Sequence, residues 1–317
     1  MKRFSSMLLA LVAIPALAET NALKRLESYK RLNDAETRLL EYRDDDAMLK
    51  IKLEQLDVIN KSRRQYNLQE VKLDILASRV ANKTSREAAL NNYHGHYNLE
   101  GEKPYHRWAE AGGYDHVTEN AAARWATKGS FEVTNETKAR YMKELHLKFM
   151  AEPPSHDGHK KTILEPAHNY VGIGIYLTDK QCRYYEEFID RYYTFDKIPS
   201  SVKPNERFSI NVTPDSANYF YHLVVYYEPF TKPMTASKVS SMGSYEDYSA
   251  KKEMTLTGWE LSKLKKGKSR QYSIPMKFEK PGLYYVKIYQ HHQEMVKPQD
   301  FNTKGKIQGS GIIINVQ

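Results

Sequence analysis

The apolar period changes along this chain, so one repeating architecture cannot account for both halves. Residues 20 to 90 hold no proline and repeat apolar side chains at spacings of three and four: Leu23 and Leu26, Leu39 and Leu40, Ile51, Leu53, Leu56, Val58 and Ile59, then Leu73, Leu76 and Val80. That spacing, with abundant Glu, Lys, Arg and Leu, predicts helices. The first spans about 20 to 45 around a thin leucine stripe and breaks at RDDD, residues 43 to 46. Beyond Pro199 the runs RFSINVTP, YFYHLVVYYEP, RQYSIPMKFE, GLYYVKIYQHH and SGIIINVQ are short, β-branched or aromatic, and separated by Pro, Gly, Ser and Lys. Several alternate with period two, which predicts an antiparallel β-sandwich. Between the two regions lie a long ordered loop from Gly95 to Asn120 with one short helix, PYHRWAEAG, and a helix over about 135 to 151 stopped by Pro153-Pro154. A short helix at 158 to 164 and two strands, YVGIGIYL and CRYYEEFIDRYYTF, follow. The fold class is therefore α+β.

The first residues, MKRFSSMLLALVAIPALAET, combine Lys2 and Arg3, an apolar run from Met7 to Leu17 and an Ala16-Leu17-Ala18 ending. These are the parts of a secretory signal peptide cut after Ala18, which predicts a secreted or periplasmic product. No later apolar run approaches the length of a membrane helix, so the mature chain is expected to have no transmembrane anchor. Cys182 is the one cysteine, so an intramolecular disulfide is excluded and the core must supply stability. A chain of 317 residues exceeds what one core usually organises. Losing Lys2 and Arg3 with the leader lowers the formal charge of +9 by two. The densest basic run, KLKKGKSR at 263 to 270, reads as a solvated turn, and no nucleic-acid partner is expected. The 24 tyrosines would serve either as ordinary strand residues or as a sugar-stacking face.

Several chemical constellations compete. In SHDGHKKTILEPAHNYVGIG, residues 155 to 174, His156 and His159 have a metal-ligand spacing, but Pro153, Pro154 and Gly158 surround them. His156 is therefore expected to face solvent while His159 opens the next helix. Ser155, Asp157 and His159 do not make a catalytic triad, because no oxyanion hole accompanies them. VGIG is expected to permit close backbone packing rather than phosphate binding. Cys182 reads as a buried small hydrophobe.

One colinear series stands out. A helix containing DVINKSRRQ precedes ILASRVANKTSREAALNNY; His96 precedes Gly101 and Pro104; Arg107 and AGGY lead to Glu119-Asn120; DGHKKTIL precedes VGIG and an aromatic strand. In that order these pieces resemble the CAP superfamily (cysteine-rich secretory, antigen 5 and pathogenesis-related proteins), specifically its bacterial SCP-like branch, over residues 47 to 196.

The resemblance implies a three-layer α-β-α sandwich with a central cleft, followed here by the antiparallel β-sandwich domain and preceded by a short N-terminal helical extension. The expected organisation is 1–18 signal peptide, 19–46 extension, 47–197 CAP domain and 198–317 β-sandwich. It implies that His96, Glu119 and His159 converge in the cleft, on elements usually joined by a second glutamate; Glu152 is a doubtful counterpart. Thr118 stands where a glycine usually precedes the glutamate. Two imidazoles and one carboxylate are ligand types that zinc or another divalent cation accepts; the same groups could instead hydrogen-bond one another. Metal held by histidines would weaken as pH falls through about 6.5. Two functions remain open. One is binding of an envelope or extracellular lipid, glycan or protein in or beside the cleft. The other is metal-dependent hydrolysis, with His96 and His159 holding zinc and Glu119 as the general base.

Overall fold

The structure is a computed structural model that describes residues 21–215, 218–245, 251–267, 270–295, 297–298 and 302–317; the leader expected at 1–18 lies outside them. The chain begins with helix α1 (21–35) and a 3-10 turn at Leu40–Tyr42. Then follow α2 (Asp46–Arg64), β1 (Lys72–Leu73), α3 (Ile75–Leu90), α4 (Pro104–Glu110), β2 (His116–Trp125), α5 (Asn135–Met150), α6 (Gly158–Ile163), β3 (Tyr170–Leu177) and β4 (Gln181–Asp190). The second half contains β5 (Tyr193–Phe195), β6 (Ser201–Val202), β7 (Arg207–Pro214), β8 (Tyr219–Glu228), α7 (Ala236–Ser241), β9 (Lys252–Thr257), α8 (Gly258–Ser262), β10 (Tyr272–Lys277), β11 (Gly282–His291), β12 (Ile307–Gln308) and β13 (Ile312–Val316).

Helix α1 stops at residue 35 rather than near 45. The reason lies in Arg79 of α3, whose guanidinium collects the carbonyls of Asn33, Glu36 and Arg38 and so satisfies a chain that has left the helix. The RDDD cluster then works as a cap. Asp45 accepts the Met48 N–H at 2.7 Å and starts α2, while Asp44 pairs with buried Lys52 at 2.6 Å.

The first sheet runs β1-β3-β4-β2, with β2 at its edge. Its two faces carry different helices. Leu49, Leu53, Leu56 and Ile59 of α2 and Met142, Leu145 and Phe149 of α5 pack with Val171, Ile173, Ile175 and Leu177 of β3 in one core. On the opposite face Leu76, Ala77 and Val80 of α3 join Tyr105 and Trp108 of α4. Alternation along β3 explains VGIG: Gly172 and Gly174 face α3, and a Cβ on either would lie 2.3 or 2.2 Å from the backbone carbonyl carbon of Ala77 or Ala81. These layers form the expected α-β-α sandwich. One correction concerns residues 116 to 120, read as loop from their Gly-, His- and Tyr-rich surroundings; they belong to β2, paired antiparallel with β4.

The second half forms two facing sheets, β10-β7-β5 and β6-β13-β11-β8-β9. Ile210, Val212, Ile274 and Met276 from one meet Leu223, Val225, Val286, Ile288, Ile312 and Ile314 from the other in a separate core. All pairings are antiparallel except β13 with β6. Strand β5 pairs with β7 upstream of residue 198.

The two halves are joined by specific contacts. Tyr105 stacks on Tyr285 with ring centroids 4.4 Å apart, and its hydroxyl donates to Glu228 at 2.6 Å. The Gln308 amide donates to His116 Nδ1 at 2.9 Å, and the Gly311 N–H to the Tyr114 carbonyl at 2.8 Å. Between β8 and β9 the chain leaves its own sheet and crosses the first half as a strap. Met234 N–H donates to the Leu99 carbonyl, and Val239 of α7 is fully buried among Ala81, Ala88, Tyr93 and Tyr185. Among the described residues no helix is long and apolar enough to cross a membrane.

Candidate functional site

Strand β2 offers neighbouring residues to opposite faces of the sheet, and the pair Glu119-Asn120 uses both. On the α4 side, Glu119 Oε1 accepts from His96 Nδ1 at 2.8 Å and Oε2 from Arg107 Nη2 at 2.5 Å. Arg107 also donates to the carbonyls of His96 and Glu102, which fixes the loop after α3 that carries the histidine. On the α6 side, Asn120 Nδ2 donates to the His159 carbonyl at 3.1 Å and reaches Glu186 at 3.3 Å. One strand edge therefore positions one histidine from each side.

His159 has its own carboxylate. Its Nδ1 donates to Glu152 Oε1 at 2.5 Å, its backbone N–H donates to Glu152 Oε2 at 3.1 Å, and its ring lies on Phe149 at 4.5 Å. Glu152 is thus the carboxylate that orients the second histidine and also receives the first N–H groups of α6. The α5–α6 turn folds back over Pro153-Pro154, so a short separation in sequence suffices. His96, Glu119, Glu152 and His159 line one cleft of about 910 Å³, with Gly95, Thr118, Asn120, Thr162 and exposed His156. The strap supplies the remaining wall: Gly243, Ser244 and Tyr245. Tyr245 lies 5.0 Å from the His96 ring, and its hydroxyl accepts the Glu119 N–H at 3.1 Å.

Electrostatics divide the carboxyls. Burial alone would raise the Glu119 carboxyl, but the Arg107 charge and the His96 hydrogen bond outweigh it and hold the group below the usual carboxylate range. Glu187, directly opposite Glu119 on β4, is pushed well above that range by burial and by the negative charge of Glu119. Glu119 is the ionised member of this pair and Glu187 the protonated one. Sequence reasoning missed Glu187 and Tyr245. The first had a signal, adjacent glutamates inside the apolar run YYEEFI; the second is brought in only by the strap. Burial lifts the Cys182 thiol to about 12, so it is inert, as expected of a buried small hydrophobe.

The donor set decides how a metal would fit. Because each Nδ1 donates to a carboxylate, Nε2 is the lone-pair nitrogen of both rings, the form a metal would bind. Glu119 is not a third ligand, since His96 and Arg107 occupy both its oxygens. Among the described residues no group of three or more His, Cys, Asp or Glu is arranged to hold a metal ion. The residues present do not fit the three-ligand zinc site, and Glu119, bound to a buried guanidinium, does not fit a general base.

Comparison with known proteins follows the same segment. Residues 44–183 match the family model of the CFAP184 CAP-like domain. Cilia- and flagella-associated protein 184 of Tetrahymena thermophila is 29% identical over 140 residues, which cover 44% of this chain and 16% of that protein. An extracellular protein containing a SCP domain from Bacillus anthracis shares 22% identity, with 44% of this chain and 40% of that chain covered and a TM-score of 0.34. An outer surface protein of Borrelia burgdorferi shares 17%, with 45% and 93% covered and a TM-score of 0.35. The match of residues 44–183 to a CAP-like domain supports a relationship of this segment to the CAP superfamily.

Proposed function

We propose that this is a secreted or periplasmic CAP-like protein whose cleft binds a hydrophilic extracellular ligand of the glycan class. The observation that supports this reading is the lining: imidazole, hydroxyl, amide, carboxylate and glycine surfaces with one tyrosine ring and, among the described residues, no aliphatic side chain. An acyl chain would gain little by leaving water for such walls, whereas a polyol finds donors and acceptors at Thr118, Thr162, Ser244 and both Nε2 atoms. Lipid and apolar peptide ligands are therefore disfavoured. A divalent cation has no part in this reading, and the metal-dependent hydrolase lacks its third ligand and its base.

Binding of the mature protein to a glycan array, followed by calorimetry with the strongest hit, tests the reading. The His96→Ala, His159→Ala double variant should lose about tenfold or more in affinity, as two hydrogen-bonding contacts worth about 1 kcal/mol each disappear. Equal affinity of variant and parent, or retention on lipid vesicles in place of glycans, would sink it.

A further inference from the structure

Two hydroxyl–imidazole–carboxylate chains lie beside the His96–Glu119 pair, and they differ in access. In the first, Ser62 Oγ lies 2.9 Å from His146 Nε2, and His146 Nδ1 lies 2.8 Å from Glu186 Oε1. His146 and Glu186 are fully buried, Ser62 Oγ also donates to its own helix at the Val58 carbonyl, and none of the three lines the cleft. This chain fills the core. In the second, Thr118 Oγ1 lies 3.2 Å from His168 Nε2, and His168 Nδ1 lies 2.6 Å from Asp190 Oδ1. Thr118 lines the His96–His159 cleft, and all three residues line an adjoining cavity of about 690 Å³ beneath β11 and β12.

The second chain has the parts of a nucleophile with its base. Asp190 accepts the Nδ1 proton, so His168 Nε2 carries the lone pair that faces the Thr118 O–H. The imidazole is held from two further directions: it stacks on Phe188 at 5.2 Å, and Arg63 Nη2 binds the His168 carbonyl at 3.2 Å. The N–H of Glu119, the residue after Thr118, leaves the strand edge and donates to the Tyr245 hydroxyl.

We propose that Thr118, His168 and Asp190 form a nucleophile, base and orienting group for the hydrolysis of short acyl esters of hydrophilic alcohols. Thr118 Oγ1 bonds to the acyl carbon as its proton passes to His168 Nε2. The ester C–O bond breaks, and the alcohol leaves with that proton. Water then attacks the acyl-Thr118 ester through the same imidazole; the carboxylic acid departs and Thr118 regains its proton. Net, one ester and one water give one acid and one alcohol. The acyl group is short because the apolar wall beside the three residues is small: Pro166, Ala167 and Ile307 with the Tyr289 ring, set among Lys161, Glu165, Lys306 and Gln308.

The test uses the mature full chain with p-nitrophenyl acetate, a probe that needs no glycan, so its failure is separable from failure of the binding reading. Wild type, Thr118→Ser and the Ser62→Ala control should turn over the ester above the buffer rate. Thr118→Val, which keeps the branched shape and loses the hydroxyl, should fall by about a hundredfold or more. A fluorophosphonate probe should label the peptide containing Thr118 in wild type and Thr118→Ser. If Thr118→Val melts early, the comparison of wild type with Thr118→Ser by labelled peptide decides the matter. Wild-type turnover no faster than that of folded Thr118→Val, or a label on a peptide without Thr118, overturns the proposal.

Discussion

Glu119 and Asn120 show how little sequence a cleft needs: two adjacent residues, turned to opposite faces, each hold one histidine in place. Gly172 and Gly174 act the same way through absence of a side chain, since α3 packs against bare backbone there. Gly174→Ala should cost about 1–3 kcal/mol by overpacking, read as a lower denaturation midpoint at unchanged slope; an unchanged midpoint would show that α3 can move away. At this scale the series His96, Glu119, His159 was legible because each residue sits in a colinear motif. Glu152 was not, because seven residues from His159 looks too near until the proline turn folds α5 back on α6. Thr118 is legible as a departure from the pattern, while nothing in the sequence marks its partner His168 within a stretch dominated by His156 and His159.

At the level of elements, the period-two and period-3.6 patterns located the long helices and strands, because those patterns report which face is buried, but left the short α7, α8, β1, β6, β9 and β12 unmarked. They failed at β2, where an edge strand lined by polar cleft residues alternates Thr, Glu, Asn and Ala rather than apolar with polar. The strap was equally hidden: its function depends on contacts with residues over a hundred positions away, such as the Glu119 N–H on Tyr245. Tyr245→Ala should speed diethyl pyrocarbonate modification of His96 severalfold, while Tyr245→Phe, which keeps the ring over the imidazole, should leave it near the wild-type rate. Identical rates in wild type and Tyr245→Ala would mean that the strap does not shield the cleft. Several tyrosines of the second half, among them Tyr272, Tyr284 and Tyr285, turn inward or onto the first half rather than forming an open face.

Across the whole molecule, the halves are locked by a charged latch. Glu228 of β8 receives the Tyr105 hydroxyl and faces His106 and Lys103 of α4. Burial would raise its carboxyl, but the His106 hydrogen bond and charge, with Tyr105 and Lys103, pull it down to about 2. A folded pKa below the ordinary 4.5 means the latch stabilises fully above pH 4.5 and that this stability is lost as pH falls through 2. Denaturant midpoints should therefore drop across that window in wild type and vary less in Glu228→Gln; parallel profiles would remove Glu228 as the cause. None of this could be read from the chain, because a latch is defined by which two distant surfaces meet.

The strap has one more consequence. Strand β2 ends its sheet, and an unguarded edge of this kind offers backbone N–H and carbonyl groups to any strand from another molecule. By placing the Tyr245 hydroxyl on the Glu119 N–H, the strap occupies one donor of that edge in its middle. The segment that walls the cleft therefore also interrupts the edge on which another copy would add strand by strand.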